Sequence, residues 1–91
     1  MGQCVVKCAQ AGLAEKNDAL VSIEPAEPGS GVLVEVKSPV FLEFGRQIAE
    51  TVRAVLAEAG IADAVVKVQD KGAMDFAIRA RTETAVRRSV G

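Results

Sequence analysis

From Phe41 to Ala59 the apolar residues Phe41, Phe44, Ile48, Val52, Val55, Leu56 and Ala59 recur at steps of three and four. That period belongs to an amphipathic helix that rests one stripe on a core. The segments on either side have a different period. Val32, Val34 and Val36 alternate with Leu33, Glu35 and Lys37 before it, and Ala64, Val66 and Val68 alternate with Val65, Lys67 and Gln69 after it. Alternation of this kind places one set of side chains on each face of a strand. A strand–helix–strand unit over Val32 to Val68 admits a parallel pair joined by a right-handed crossover. This unit restricts the chain to folds in which helices cover a sheet.

The remaining segments extend the pattern. Ala19, Val21 and Ile23 alternate with Leu20, Ser22 and Glu24, which predicts a half-buried strand over 19–24. Residues 3–13 carry Val5 and Val6 beside Lys7 and Gln10 and read as a further strand. The polar run Glu15-Lys16-Asn17-Asp18 between them is a hairpin turn, because Asn and Asp bond their own backbone and tolerate turn geometry. Pro25 to Gly31, with two prolines and two glycines, is a loop. Neither the turn nor this loop has apolar anchors, so both are expected to be the most mobile internal segments.

Ser38 is expected to cap the long helix with Pro39 in its first position, and Gly60 to stop it in a left-handed conformation. Gly45, in the second turn, points to close packing or the approach of a ligand there, packing being the commoner cause. After Asp70-Lys71-Gly72 a second helix is expected over 73–88. Ala73, Met74, Ala77, Ile78, Ala80 and Ala85 are expected to face the core, and Arg79, Arg81, Arg87 and Arg88 to line the outer side and last turn. The sum is one α+β domain over residues 1–91. It is a two-layer sandwich of order β-β-β-α-β-α, with a mainly antiparallel sheet of three to four strands and two helices on one face.

Composition narrows the chemistry. The 91 residues are 49% hydrophobic, with three Phe and no Trp, Tyr or His, so Val, Ala, Leu and Ile must build the core. Stacking platforms for single-stranded nucleic acid are missing, and a net charge of −1 is a poor match to a phosphate backbone. Residues 1–45 carry three lysines and six acids, whereas residues 46–91 carry eight lysines and arginines and six acids, an asymmetry suited to docking between opposite charges. No apolar run reaches the ~20 residues that span a bilayer, and no signal-type core opens the chain, so the expectation is a cytoplasmic protein without a membrane partner. Cys4 and Cys8 would lie ~13 Å apart in an extended segment, too far for a disulfide, and are expected as reduced, partly buried thiols. Without His, neither a zinc site nor a Cys–His nucleophile pair can be assembled, and an enzyme in its own right is not expected.

Three stretches in combination carry a resemblance. They are Ala11-Gly12 with Glu15-Lys16-Asn17-Asp18-Ala19-Leu20-Val21; Phe44-Gly45-Arg46-Gln47-Ile48; and Val68-Gln69-Asp70-Lys71-Gly72-Ala73-Met74-Asp75 running into Ala77-Ile78-Arg79-Ala80-Arg81. The chain from about Ala11 onward resembles the acyl carrier (gamma) subunit family of citrate lyase. The resemblance implies a non-catalytic carrier of acetyl and citryl groups that serves an alpha (transferase) and a beta (lyase) subunit. It also implies a phosphoribosyl-dephospho-coenzyme A arm esterified to a serine in the first turn. The position matching that serine is Lys16, whose amine cannot form the family's phosphodiester, so the arm is expected to be absent. Ser22, the nearest hydroxyl in sequence, falls inside an expected strand. Three explanations stay open: a serine-to-lysine variant, a paralogue that kept the fold and lost the carrier role, and a different modification on Lys16. A small protein-interaction or regulatory module that docks through the arginine-rich second helix is the alternative function.

Overall fold

The computed structural model of the protein describes residues 4–38 and 41–90. Its elements are β1 (Ala9–Gly12), β2 (Ala19–Pro25), β3 (Val32–Lys37), α1 (Phe41–Glu58), β4 (Ala64–Asp70) and α2 (Asp75–Ser89). The sheet has the order β1-β2-β4-β3. β1–β2 and β2–β4 pair antiparallel, and β3–β4 pair parallel, with Val21 opposite Val68, Ile23 opposite Val66 and Val34 also opposite Val66. The two-layer α+β sandwich is as the alternation predicts, and the parallel pair is the one that α1 connects.

The alternating residues explain which face is covered. Ala19, Val21 and Ile23 of β2 and Ala64, Val66 and Val68 of β4 are buried, and they form one cluster with Ile48, Val52 and Leu56 of α1 and Ile78, Ala85 and Val86 of α2. Both helices therefore lie on the same side. α1 covers β3, α2 covers β1 and β2, and the helices touch each other. Burying each Val, Leu or Ile of this cluster contributes about 1.5–3 kcal/mol, and each Ala less. β3 is an edge strand, so Val32, Val34 and Val36 are only half-buried.

α1 ends as expected. Gly60 has φ 74°, and the amide of Ile61 donates to the carbonyl of Leu56 at 2.9 Å while that of Gly60 donates to Ala57 at 3.1 Å. This closure satisfies carbonyls that the helix end leaves without partners. At the other end Pro39 and the side chain of Phe41 lie outside the described residues. The helix begins at Phe41, and the hydroxyl of Ser38 donates to Asp70 Oδ2 at 2.7 Å, a bond that a capping role did not anticipate. Gly45 is buried.

Several expectations need correction. The first strand is shorter than 3–13, because Val6 and Lys7 both donate their amides to the carbonyl of Ser89. That carbonyl is one of the last in α2 and has no partner within the helix, so it draws the segment out of the sheet. Cys4 and Cys8 are free thiols, but exposed rather than partly buried. Phe44, Met74 and Ala80 are exposed, and the buried stripe of α2 is Ile78, Thr82, Ala85, Val86 and Ser89. Thr82 and Ser89 tolerate burial because their hydroxyls donate to Ile78 and Val86 carbonyls in their own helix, at 2.7 and 2.8 Å. A hydroxyl satisfied this way packs much as a small apolar group does.

Candidate functional site

The β1–β2 connection, residues 13–18, is a structured turn. Asn17 takes φ 65°, a left-handed conformation that Asn tolerates better than most residues. The amide of Asp18 donates to the Glu15 carbonyl at 3.0 Å and closes the turn. The turn is then tied to the chain leaving β4: Asn17 donates to the Lys71 carbonyl at 2.8 Å, and Lys71 donates back to Asp18 at 2.9 Å. Lys16 stands exposed at the tip of this anchored turn.

Two carboxylates hold the surroundings. Asp18 accepts the amide of Ala19 at 2.7 Å and both Nε and Nη2 of Arg81 at 3.2 Å. Its carboxyl is held below the usual aspartate range, chiefly by the Arg81 hydrogen bond and then by the Ala19 amide; the charge of Arg81 adds to this and burial opposes it. Asp70, 2% exposed, accepts the amides of Gly72 and Ala73 on Oδ1 at 3.1 and 2.8 Å and the Ser38 hydroxyl on Oδ2. A buried carboxylate is costly unless it is bonded in this way. Asp70 thereby fixes the end of β3 against the turn that leads into α2.

Between these anchors lies an open groove of about 810 Å³, lined by Ala14, Lys16, Lys37, Ser38, Gln69, Asp70 and Lys71. Sequence reasoning found Lys16 and missed everything around it. Lys37 reads from the sequence only as a residue on one face of a strand, and Asp70 and Lys71 only as part of the turn before the second helix. Arg81, expected on an outer face, instead reaches the turn. The one available signal was that the end of one strand, a polar turn and the exit of another strand each carried a lysine.

The arm that the resemblance implies does not fit these residues. It requires a free hydroxyl on the exposed turn, and Lys16 offers an amine. Ser22 is half-buried within β2, opposite Gln10 and Lys67. The hydroxyl that shares the groove with Lys16 is that of Ser38, and it donates to Asp70.

Comparison with known proteins follows the same outline. Residues 6–89 match the family model of acyl carrier proteins described as malonate decarboxylase delta subunit. The citrate lyase acyl carrier protein of Fusobacterium nucleatum subsp. nucleatum is 47% identical over 79 residues, 87% of this chain and 83% of that protein. The protein of the same description from Albidiferax ferrireducens is 41% identical over 87 residues, 96% of this chain and 88% of that one. In fold, the chain is similar to one in the crystal structure of a Pseudomonas malonate decarboxylase hetero-tetramer in complex with malonate. The TM-score is 0.79 at 22% identity, covering 99% of this chain and 90% of that one.

Proposed function

This chain belongs to the acyl carrier protein family, whose members are non-catalytic carrier subunits, and on that premise we propose that it serves as a carrier-type subunit of a citrate lyase-like complex with its arm position altered to Lys16. Its partners in this reading are subunits of the alpha (transferase) and beta (lyase) types. A carrier turn must be exposed at its tip yet held at its base, so that what it presents reaches another chain's active site in a defined orientation. The observation that carries the reading is this combination: Lys16 is exposed while Asn17 and Asp18 are bound to Lys71 and Arg81.

Lys16 also favours a second reading, a protein-interaction or regulatory module that kept the carrier fold and lost the carrier role. Intact-mass spectrometry after co-expression with the family's phosphoribosyl-dephospho-coenzyme A transferase tests the first. The expected outcome is a mass gain on the Lys16→Ser variant and none on the unaltered chain. If the serine variant also gains nothing, the carrier reading fails. Co-purification then separates the two, since lyase and transferase subunits support the first and unrelated proteins the second.

A further inference from the structure

β3 and β4 run parallel and end side by side, with Lys37 opposite Gln69. The β1–β2 turn reaches the same end, where Asn17 and Asp18 bond Lys71, so three chain segments surround one concavity there. This concavity is the groove of about 810 Å³, and each segment sends a lysine to it: Lys16 from the turn, Lys37 from the end of β3 and Lys71 from the exit of β4. Among the described residues none of the three ammonium groups takes part in an ion pair. The acids nearby are otherwise engaged. Asp70 is bonded to Ser38, Gly72 and Ala73, Asp18 is gripped by Arg81, and Glu15 does not line the groove.

Three like charges around one concavity raise the local positive potential and concentrate anions there, although the whole chain has a net charge of −1. α1 begins three residues after Ser38, so its positive pole lies at the same end of the sheet. The volume falls within the ~300–1,000 Å³ of ordinary small-molecule sites and far exceeds what inorganic phosphate alone would fill. We propose that this groove is a non-covalent binding site for a phosphate-bearing molecule of nucleotide size, with Lys16, Lys37 and Lys71 as its phosphate contacts. Lysine suits this task as a compact, mobile point charge. The site stands whether or not the chain assembles with other subunits.

Isothermal titration of the full chain at low salt, with ADP, inorganic pyrophosphate, adenosine, citrate and a polyglutamate peptide as separate titrants, tests the assignment. ADP and pyrophosphate should bind and compete with each other, while adenosine should not bind. Lys16→Ala, Lys37→Ala and Lys71→Ala should each weaken ADP by about tenfold, the scale of one charge-assisted hydrogen bond. Lys7→Ala, at the opposite end of the sheet beside the C-terminus of α2, should leave ADP binding unchanged. Circular dichroism on each variant confirms that the fold is intact. The proposal is overturned if ADP binds no better than adenosine, if citrate or the peptide binds more tightly than ADP, or if Lys7→Ala weakens ADP as much as Lys71→Ala does.

Discussion

Arg81 meets Asp18 across 63 positions of sequence, donating Nε to Oδ1 and Nη2 to Oδ2 at 3.2 Å each. The pair joins α2 to the base of the turn that presents Lys16. Because the folded Asp18 carboxyl titrates below its unfolded value of ~3.9, its stabilising effect is complete above that pH and is lost as pH falls through the folded value. Urea midpoints of the unaltered chain should therefore drop on acidification below pH ~4, and Arg81→Met should flatten that drop. Salt should flatten it too, since the Arg81 side chain is 41% exposed. Parallel pH profiles for the two proteins would show that the pair does not stabilise the fold.

Gly12 is a point of close approach rather than a simple turn glycine. At φ 89°, a Cβ there would lie 1.9 Å from the carbonyl oxygen of Ala19 and 2.9 Å from Arg81 Cδ. Gly12→Ala should destabilise by more than ~2 kcal/mol, combining backbone strain with a steric clash. Gly29 has a similar φ of 87° but open space around it. Gly29→Ala should cost only the strain, about 1–2 kcal/mol. Equal losses in urea denaturation would mean that the close approach does not matter.

Removing the Asp70 carboxylate should be expensive. Asp70→Ala strands the amides of Gly72 and Ala73, and leaves Ser38 without that acceptor. A loss of about 2–4 kcal/mol is expected from unsatisfied groups of this kind. Asp70→Asn keeps one oxygen for the two amides, so it should fall well short of that loss. The comparison can be read from chemical denaturation of the two variants.

Buried and exposed apolar residues on the helices should respond oppositely. Leu56, fully buried against the sheet, should cost about 2–5 kcal/mol as Leu56→Ala. Met74, 67% exposed, should stay within ~0.5 kcal/mol as Met74→Gln. Thermal melts of the pair decide whether the helix stripes are oriented as described.

Hydrogen exchange should divide the 15–18 turn internally. Asn17 and Lys71 donate to each other's segment and should exchange slowly, whereas the exposed amide of Lys16 at the tip should exchange fast. Uniform fast exchange through residues 15–18 and 71 would restore the expectation of a mobile turn based on its lack of apolar anchors.

Alternation and helical period made much of this fold legible. Residues 19–24, 32–37 and 64–69 appear as strands within a residue of their predicted ends, and the α1 stripe of Ile48, Val52, Val55 and Leu56 is buried. Such signals are local: each depends only on which residues share a face. The failures have two causes. Thr82 and Ser89 looked polar but satisfy their hydroxyls within α2, while Phe44 and Met74 looked like core and are 46% and 67% exposed. The hydroxyls bond carbonyls three and four residues back, a local bond that polarity alone does not reveal, whereas the exposure of Phe44 and Met74 is decided by how the helices sit on the sheet.

The turn shows the same division. Its polarity, its Asn17 and the lysine at position 16 follow from the sequence, because turn chemistry is set by a few adjacent residues. The placement of β4 between β2 and β3 could not be read there, since strand order depends on which faces pack once the helices are in place. That order brings Lys71 beside Lys16 and Lys37 and Asp70 to Ser38, and the packing of α2 on β1 and β2 puts Arg81 within reach of Asp18. Local residue identity determined the elements and the exposed lysine. Tertiary packing decided that the lysine stands over a basic groove, because only long-range burial brings charges from three distant segments together.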